Sequence, residues 1–387
     1  MPEPPKLVLF LGAGFSWDAR LPLMSEFGPQ SVRTQPGVPR NAGTYASGPM
    51  IEEARQTYVA FEALCRGSGL LSDRDWQNVE DVFGVAEVLK YAGVPLVDLD
   101  GQEIEIDVLL ARIKIWIWKT YQQLPVKRGE ERPEAKPNRE PYWKLFRALR
   151  DAGLAPHTTI VTTNYDIVVE YFGYLTDIKV HYPFAWDPSF GVTNSRSHFV
   201  AEPGDSRAGP VLCKLHGSIN YFQGSGGFFG VTADLGDGRE PVGRMGPSGF
   251  KDEPTIAMYD AIATVQKKVP GALPAIVPPS YAKLDESAWL RAAWKRAAED
   301  LAAAERIVFI GYSMPRTDGF MRGMLVGSCL GRARRIPRVV VIDTCDDVIE
   351  EYDRIFHKIE PGYTMAFARA VDDILPAVLA EAAGLDT

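Results

Sequence analysis

The stretch Leu7-Val8-Leu9-Phe10-Leu11-Gly12-Ala13-Gly14-Phe15-Ser16 indicates which fold to expect. Its five consecutive apolar residues suit a strand buried on both faces, as in a parallel sheet covered by helices. The glycines allow a tight turn, and a strand, a glycine turn and a helix in this order bring backbone N–H groups close to a pyrophosphate. The third glycine of the common dinucleotide motif is absent, because Trp17 takes its place. On this motif alone, a plain strand–helix turn remains an alternative.

Further apolar runs of strand length follow, and in the C-terminal half they alternate with helical patterns. This alternation predicts an α/β fold, a Rossmann-like doubly wound parallel sheet. The predicted strands are Leu7–Leu11, Thr158–Thr162, Val211–Lys214, Ile307–Gly311 and Val339–Asp343. The helices predicted beside them are Glu286–Ala304, Thr317–Leu330 and Asp372–Ala383.

Residues 27–150 carry helical patterns without a convincing strand. They predict a helical insertion between the first and second strands of a Rossmann domain formed by residues 1–26 and 151–387. The helices predicted in the insertion are Ile51–Cys65, Val79–Tyr91, Ile104–Gln123 and Tyr142–Ala152.

Two segments are harder to interpret. The helix Ile104–Gln123 is apolar on more than one side, so we expect it to be buried, with a self-association surface around Trp116 and Trp118 as the alternative. The glycine-rich stretch Gly224–Gly249 predicts a long flexible loop.

Composition and charge argue against several classes of protein. The formal net charge is −8, so we expect no direct binding of nucleic acid. One basic cluster is interpreted as a solvated turn, with an anion or DNA contact as the alternative; it comprises Arg332, Arg334, Arg335 and Arg338. No run reaches the ~20 apolar residues of a membrane helix, and no signal-peptide core is recognisable, so we predict a cytoplasmic protein without membrane contact. The four cysteines form no Cys-x-x-Cys pair, which argues against a zinc module.

Polar residues directly follow the predicted strand Thr158–Thr162, as Thr163, Asn164 and Asp166. Open α/β sheets bind their ligands outside the carboxyl ends of the strands. The carboxamide of Asn164 can hold a water or a ribose hydroxyl without titrating. Asp166 either caps the next helix or bonds a ligand or a partner side chain, and both possibilities stay open.

The remaining predicted strands also end in glycine or polar residues. His216 follows the third strand, where an imidazole is a candidate general base, although a lone histidine is more often structural. Gly311-Tyr312-Ser313 follows the fourth strand, and Asp343, at the end of the fifth, could accept from a ribose hydroxyl. We expect these strand ends to line a single crevice.

Together these motifs resemble the sirtuin superfamily, over residues 7 to 343. The turn Gly-Ala-Gly-x-Ser appears as Gly12–Ser16, Asn-x-Asp as Asn164–Asp166, His-Gly as His216–Gly217 and Gly-x-Ser as Gly311–Ser313. The resemblance implies that Asn164 and His216 are catalytic. It implies contacts with NAD for Gly12, Ala13, Gly14, Ser16, Thr163, Asn164, Asp166, Gly311, Tyr312, Ser313 and Asp343.

More narrowly, residues 78–82, 162–166 and 214–220 resemble bacterial sirtuin-like domains of antiphage defence systems, which hydrolyse NAD when triggered. Deacylase sirtuins carry a four-cysteine zinc module, which this chain cannot build, so no zinc is expected. Their arginine-bearing loop is replaced here by Arg20-Leu21-Pro22-Leu23-Met24. The resemblance therefore implies an NAD glycohydrolase that releases nicotinamide and ADP-ribose and acts in defence by NAD depletion.

Other activities remain open, namely an ADP-ribosyltransferase, a protein deacylase and a nucleotide-sensing module without turnover. A plain dehydrogenase is disfavoured by the missing glycine. Constitutive destruction of NAD would poison the host, so we expect control through homo-oligomerisation or a partner. The resemblance implies a partner ATPase, nuclease or Argonaute-type protein.

Overall fold

The computed structural model describes residues 7–16, 79–97, 103–121, 141–184, 208–224, 227–230, 271–277, 287–315, 318–330, 338–356 and 362–384. The helix predicted at Ile51–Cys65 lies outside these residues. Within them, no helix combines the length and the apolar character that crossing a bilayer requires.

The strands of these ranges are β1 (Leu7–Leu11), β2 (Leu96–Val97), β3 (Glu103–Ile104), β4 (Thr158–Thr162), β5 (Lys179–His181), β6 (Ala208–Lys214), β7 (Gly217–Gly224), β8 (Gly227–Gly230), β9 (Leu273–Ile276), β10 (Arg306–Ile310), β11 (Arg338–Asp343) and β12 (Gly362–Thr364). The helices are α1 (Ala13–Ser16), α2 (Val79–Ala92), α3 (Ile106–Tyr121), α4 (Pro141–Asp151), α5 (Val168–Leu175), α6 (Ala288–Ala303), α7 (Gly319–Leu325), α8 (Asp346–Phe356), α9 (Phe367–Asp373) and α10 (Leu375–Ala382).

The main sheet has seven strands in the order β12-β11-β10-β1-β4-β6-β5, and every pair of neighbours is parallel. The chain proceeds from β1 to one side and later returns to add β10 on the other side. This reversal of strand order defines a doubly wound sheet. The Rossmann-like fold class is therefore confirmed, and all five predicted strands are present. β5 and β12 have three residues each, too few for a periodic signal.

Helices cover both faces of the sheet, which explains the continuous apolar runs. Leu7, Leu9 and Leu11 pack in one hydrophobic cluster with residues of α2, α3, α4, α5, α9 and α10. Val8 and Phe10 belong to a second cluster with residues of α6, α7 and α8. Because side chains alternate along a strand, a single apolar run supplies both clusters.

Helix α3 is part of the core, as its sequence predicted. Ile115 and Trp118 are both buried. The Trp118 indole N–H donates to the carbonyl oxygen of Ile219 at 2.7 Å. The alternative, a self-association surface that includes Trp118, is therefore wrong for this residue. The side chain of Trp116 lies outside the described part of the chain.

A second, antiparallel sheet in the order β8-β7-β9 was not predicted. β8 lies within the stretch that was predicted to be a flexible loop, and that prediction is wrong for Gly227–Gly230. The register pairs Gly224 with Gly227, so only two residues join β7 to β8. Aromatic residues on both sides of a Ser-Gly pair are a hairpin signal, which the high glycine content obscured. Residues 231–249 lie outside the described residues.

Two smaller predictions are corrected. The insertion was expected to lack strands, but β2 and β3 form a hairpin of two residues each, too short for period-2 alternation to show. The single helix predicted at Asp372–Ala383 is interrupted at Ile374, between α9 and α10. Pro376 has no backbone N–H to donate and restricts the residue before it, so a continuous helix is broken there.

Candidate functional site

The strand ends that carry the predicted site residues meet at one edge of the sheet. Leu11 of β1 pairs with Ile310 of β10 and with Thr162 of β4. Thr162 pairs with Lys214 of β6, and Ile310 pairs with Ile342 of β11. The residues that follow these partners lie at the carboxyl edge. Gly12, Thr163 and Gly311 begin loops there, and Asp343 is the last residue of β11.

The glycine turn after β1 packs directly against the turn after β10. A Cβ atom on Gly12 would lie 2.4 Å from the carbonyl oxygen of Gly311, and one on Gly14 would lie 2.9 Å from the Gly311 Cα. Gly311 itself has a φ of +60°, where a side chain is strained. These glycines allow two backbones to approach, a reason that the sequence analysis did not consider.

Three backbone N–H groups of this turn already donate within the protein. Gly12 donates to Ile310 O at 3.0 Å, Gly14 to Gly311 O at 2.9 Å and Phe15 to Gly12 O at 3.0 Å. A phosphate could not use these three groups without breaking the packing of the two turns. Its binding at this turn therefore remains a prediction that depends on the other backbone groups.

The Asn164 side chain connects the β4 loop to the glycine turn. Its Nδ2 donates to Gly12 O at 2.8 Å and to Ser16 Oγ at 2.9 Å. A backbone carbonyl can only accept, so the amide group must point its NH₂ towards Gly12. With both hydrogens engaged, Oδ1 is the atom that Asn164 offers a ligand, and Oδ1 can only accept.

Asp166 bonds a partner side chain and also caps a helix, the two roles that its sequence left open. Oδ2 accepts from the Ser16 hydroxyl at 2.7 Å, and Oδ1 accepts from the Val168 N–H, at the start of α5, at 2.9 Å. Burial raises the pKa of the Asp166 carboxyl above its ordinary value, and the Lys214 ammonium partly offsets this effect. Ser16 and Asp166 are both buried, so they stabilise the glycine turn from inside the protein.

A buried ion pair joins the Asn164 loop to the His216 loop. Lys214 Nζ lies 3.0 Å from Glu170 Oε1, and these side chains are 1% and 2% exposed. The same ammonium donates to the Ser218 hydroxyl at 2.6 Å and to the backbone oxygen of Asp166. One lysine thus connects α5, the β4 loop and the beginning of β7, two residues beyond His216.

His216 is buried beside an acid that the sequence analysis did not select. Its Nε2 lies 3.3 Å from Asp318 Oδ2, and both side chains are 3% exposed or less. The neighbouring backbone is held by two buried indoles. Trp294 donates to Leu215 O at 2.9 Å, and Trp118 donates to Ile219 O.

The other predicted contacts differ in accessibility. Thr163 is half-buried, Tyr312 is buried and Ser313 is exposed. Tyr352 donates to the Tyr312 backbone oxygen at 2.9 Å, which fixes the turn after β10. Ala13 lies between the two glycines that pack on Gly311.

Asp343 ends β11, which is separated from β4 by the two strands β10 and β1. Its Oδ1 accepts from the Cys345 N–H at 3.0 Å. Burial raises the pKa of this carboxyl above its ordinary value. The folded chain therefore holds the proton more tightly than the unfolded chain, and the ionised carboxylate lowers stability at pH values above the raised pKa.

Asp343→Asn is therefore expected to raise the melting temperature at about pH 7, because asparagine keeps the acceptor for Cys345 N–H without the charge. The gain should shrink as the pH falls and disappear below the ordinary pKa of ~3.9, where the unfolded carboxyl is also protonated. Melting curves of both proteins across this range would check it. A variant that is less stable at about pH 7 would contradict the prediction.

Three functional candidates escaped the sequence analysis, namely Asp318, Lys214 and Glu170. Asp318 precedes Gly319 at the start of a predicted helix, which is a capping signal, but its sequence position does not indicate contact with His216. Lys214 and Glu170 are ordinary charged residues until their burial is known. Among the described residues, no cluster of three metal-ligating side chains occurs; Cys65 lies outside them, and the expectation of no zinc stays a prediction.

Comparison with known proteins finds no matching family model and no matching curated protein. Among solved structures, the chain is similar to Sir2Tm bound to a propionylated peptide (13% identity, 99% of this chain, 95% of that chain, TM-score 0.39). It is also similar to Sir2 with the inhibitor EX-527, 2'-O-acetyl-ADP-ribose and a deacetylated p53 peptide (11% identity, 99% of this chain, 96% of that chain, TM-score 0.38). A third similar structure is Sir2 with a p53 peptide and NAD+ (11% identity, 99% of this chain, 95% of that chain, TM-score 0.36). These values are too low to indicate what this chain binds. The fold class is established by its own strand order, and membership of the sirtuin superfamily stays a prediction.

Proposed function

We propose that this chain binds NAD at the carboxyl edge of the sheet and cleaves the bond between nicotinamide and ribose. The observation that carries the proposal is the placement of Asn164 and His216. Each lies two residues beyond one member of the pair Thr162–Lys214, which joins adjacent strands. An amide acceptor and an imidazole therefore occupy equivalent positions in neighbouring loops, and buried hydrogen bonds hold both loops.

The reaction needs an acceptor and a base of this kind. The C–N glycosidic bond breaks, its electron pair goes to the nicotinamide nitrogen, and positive charge develops on the ribose as in other glycosyl transfers. A water oxygen forms the new bond to ribose and releases a proton. Asn164 Oδ1 would accept a hydrogen bond from that water and orient it, and His216 would take the proton.

Helix termini at the same edge suit the pyrophosphate of NAD. Helix α8 begins three residues beyond the end of β11, α5 begins six residues beyond the end of β4, and α7 begins nine residues beyond the end of β10. The N-terminal end of a helix carries partial positive charge, which favours an anionic group. This feature supports a phosphate-containing ligand and does not by itself distinguish NAD from other nucleotides.

Asn164→Ala is expected to lower nicotinamide release by about 100-fold or more, because the attacking water loses its orienting acceptor. Purified parent and variant would be incubated with NAD, and nicotinamide and ADP-ribose would be followed by chromatography. The substitution also removes the bonds to Gly12 and Ser16. A control is therefore needed for loosening of the turn.

Thr162→Val is the matched control. Thr162 Oγ1 donates to Leu11 O at 2.9 Å and accepts from the Asn164 N–H at 3.1 Å. Valine removes both bonds in the same turn and leaves the carboxamide in place. This variant should retain activity within about tenfold, the equivalent of a typical hydrogen bond or two. Equal losses in both variants would mean that Asn164 acts only by holding the turn.

Other outcomes distinguish the alternative activities. Transfer of labelled ADP-ribose to a protein would indicate a transferase, and nicotinamide release only with an acylated peptide would indicate a deacylase. Tight NAD binding without product would favour a nucleotide sensor or an enzyme awaiting its activator. An active parent and an inactive Asn164→Ala variant would support the hydrolase.

The setting we propose is antiphage defence by NAD depletion in the cytoplasm, controlled by self-association or by a partner ATPase, nuclease or Argonaute-type protein. This part of the proposal follows the sequence resemblance. The same pair of proteins tests it in bacterial cells. On infection, cellular NAD should fall in cells that carry the parent and not in cells that carry Asn164→Ala.

A further inference from the structure

Asp318 contacts two different groups through its two carboxylate oxygens. Oδ1 accepts from the backbone N–H of Met321 at 3.2 Å and so caps the N-terminus of α7. Oδ2 lies 3.3 Å from His216 Nε2, a charge contact that does not have hydrogen-bond geometry. The cap and the neighbouring backbone keep the carboxylate in place, because the Asp318 N–H donates to Pro315 O and the Arg322 N–H donates to Asp318 O.

The two side chains of this contact are both buried and come from distant parts of the chain. Asp318 is 2% exposed and His216 is 3% exposed. Asp318 begins the helix that follows β10, whereas His216 follows β6. Because solvent is excluded from this contact, the interaction between the carboxylate and the imidazole is much stronger than in water.

We propose that Asp318 is a positioning residue that sets the orientation and the tautomer of His216. A carboxylate oxygen beside Nε2 favours a hydrogen on that nitrogen, because a ring lone pair there would face negative charge. The neutral ring then has its lone pair on Nδ1. That nitrogen is buried in the folded chain, so it can act as the base only on a water enclosed beside it. This role rests on the proposed function, in which His216 takes the proton of the attacking water.

The N-cap makes one substitution especially informative. In Asp318→Asn the side-chain oxygen must face the Met321 N–H, because only an acceptor can cap it. The amide NH₂ then replaces Oδ2 and points a donor at His216 Nε2. A donor there favours a lone pair on Nε2 and moves the ring hydrogen to Nδ1. The variant keeps the cap, the volume and the fold but inverts the tautomer.

A purely structural role for Asp318 predicts a different order of variants. Asparagine retains the cap, whereas alanine loses it, so on structural grounds Asp318→Asn should be the more active of the two. The positioning role predicts that Asp318→Asn is no more active than Asp318→Ala, because asparagine imposes the wrong tautomer and alanine imposes none. In Asp318→Asn, kcat should fall about 100-fold or more with little change in KM.

Asp300→Asn is the matched control. Asp300 is also a buried carboxylate, and it accepts from Thr159 at 2.6 Å and from Arg296 at 2.6 Å. It lies in α6 beside the beginning of β4, at the opposite edge of the sheet from His216. The control removes a buried charge of the same kind, and its kcat should stay within about threefold of the parent.

The experiment combines kinetics of the parent, Asp318→Asn, Asp318→Ala and Asp300→Asn with ¹⁵N NMR of histidine-labelled protein. His216→Gln identifies the His216 resonances. We expect ¹⁵N shifts of a ring protonated at Nε2 in the parent and at Nδ1 in Asp318→Asn, whether or not the protein is active. An unchanged tautomer in Asp318→Asn, or a kcat above that of Asp318→Ala, would overturn the proposal. If the parent releases no nicotinamide, the hydrolase proposal loses its support in the purified protein, while the tautomers of the parent and of Asp318→Asn still decide the role of Asp318.

Discussion

Lys214→Met should destabilise the folded chain by about 3–5 kcal/mol, as expected when one partner of a buried ion pair is removed. The substitution leaves the Glu170 carboxyl, at 2% exposure, without its cation. It also removes the hydrogen bonds from Nζ to Ser218 and to the backbone of Asp166. Since these bonds join the Asn164 and His216 loops, turnover should fall together with stability. Urea denaturation of the parent and the variant would measure the loss.

Two further variants separate the buried charge from other causes. Adding Glu170→Gln to Lys214→Met removes the unpaired carboxylate and should recover a substantial part of the lost stability. Lys144→Met breaks an ion pair at 2.5 Å, in which Asp372 is 54% exposed, and should cost about 1 kcal/mol or less. If Lys214→Met were no more destabilising than Lys144→Met, the ion pair would not support the site as described.

Gly217→Ala should destabilise the chain by about 3 kcal/mol or more, because it combines backbone strain with a steric clash. Gly217 has a φ of +83°, and a Cβ atom there would lie 1.8 Å from the carbonyl oxygen of Ala275 in β9. Gly217 directly follows His216, whose backbone oxygen accepts from the Val277 N–H at 2.9 Å. Relief of the clash must move β9 or the His216 loop, so activity should fall as well.

Gly153→Ala isolates the contribution of the clash. Gly153 has a similar φ of +67°, and a Cβ atom there would have no other atom within 4 Å. Its substitution should therefore cost only the strain of the left-handed conformation, about 1–2 kcal/mol. Denaturation curves of both variants would give the difference. Equal losses would show that β9 yields to the extra methyl group without cost.

Local patterns were sufficient to predict the main sheet and the edge at which the candidate site residues lie. The runs Leu7–Leu11 and Val339–Ile342 are apolar at successive positions because helices cover both faces of a parallel sheet. Parallel strands end at one edge, and the strands that precede these polar residues do end there; that the residues line a single crevice stays a prediction. Asn164 and His216 could be selected in this way because both follow strands of this kind.

Patterns failed where a structure depends on few residues or on unusual composition. The hairpin β2–β3 is too short for a period to appear. The strand β8 has glycine at both ends, and its glycine content resembles that of a loop. Pro376 lies inside an apolar pattern of helical period, and that pattern predicts one continuous helix. The helix is broken because proline has no backbone N–H to donate.

Only the tertiary structure decided which buried groups contact each other. Asp318 is 102 residues from His216 along the chain, Glu170 is 44 residues from Lys214, and Ser16 is 150 residues from Asp166. Residue spacing reports whether a side chain is buried, because burial depends on the local period of a helix or strand. The partner of a buried charge depends on how separate elements pack, and no local period encodes that choice. The sequence by itself determined the main sheet and the edge of the candidate site, and the packing of distant loops determined how the groups at that edge are held.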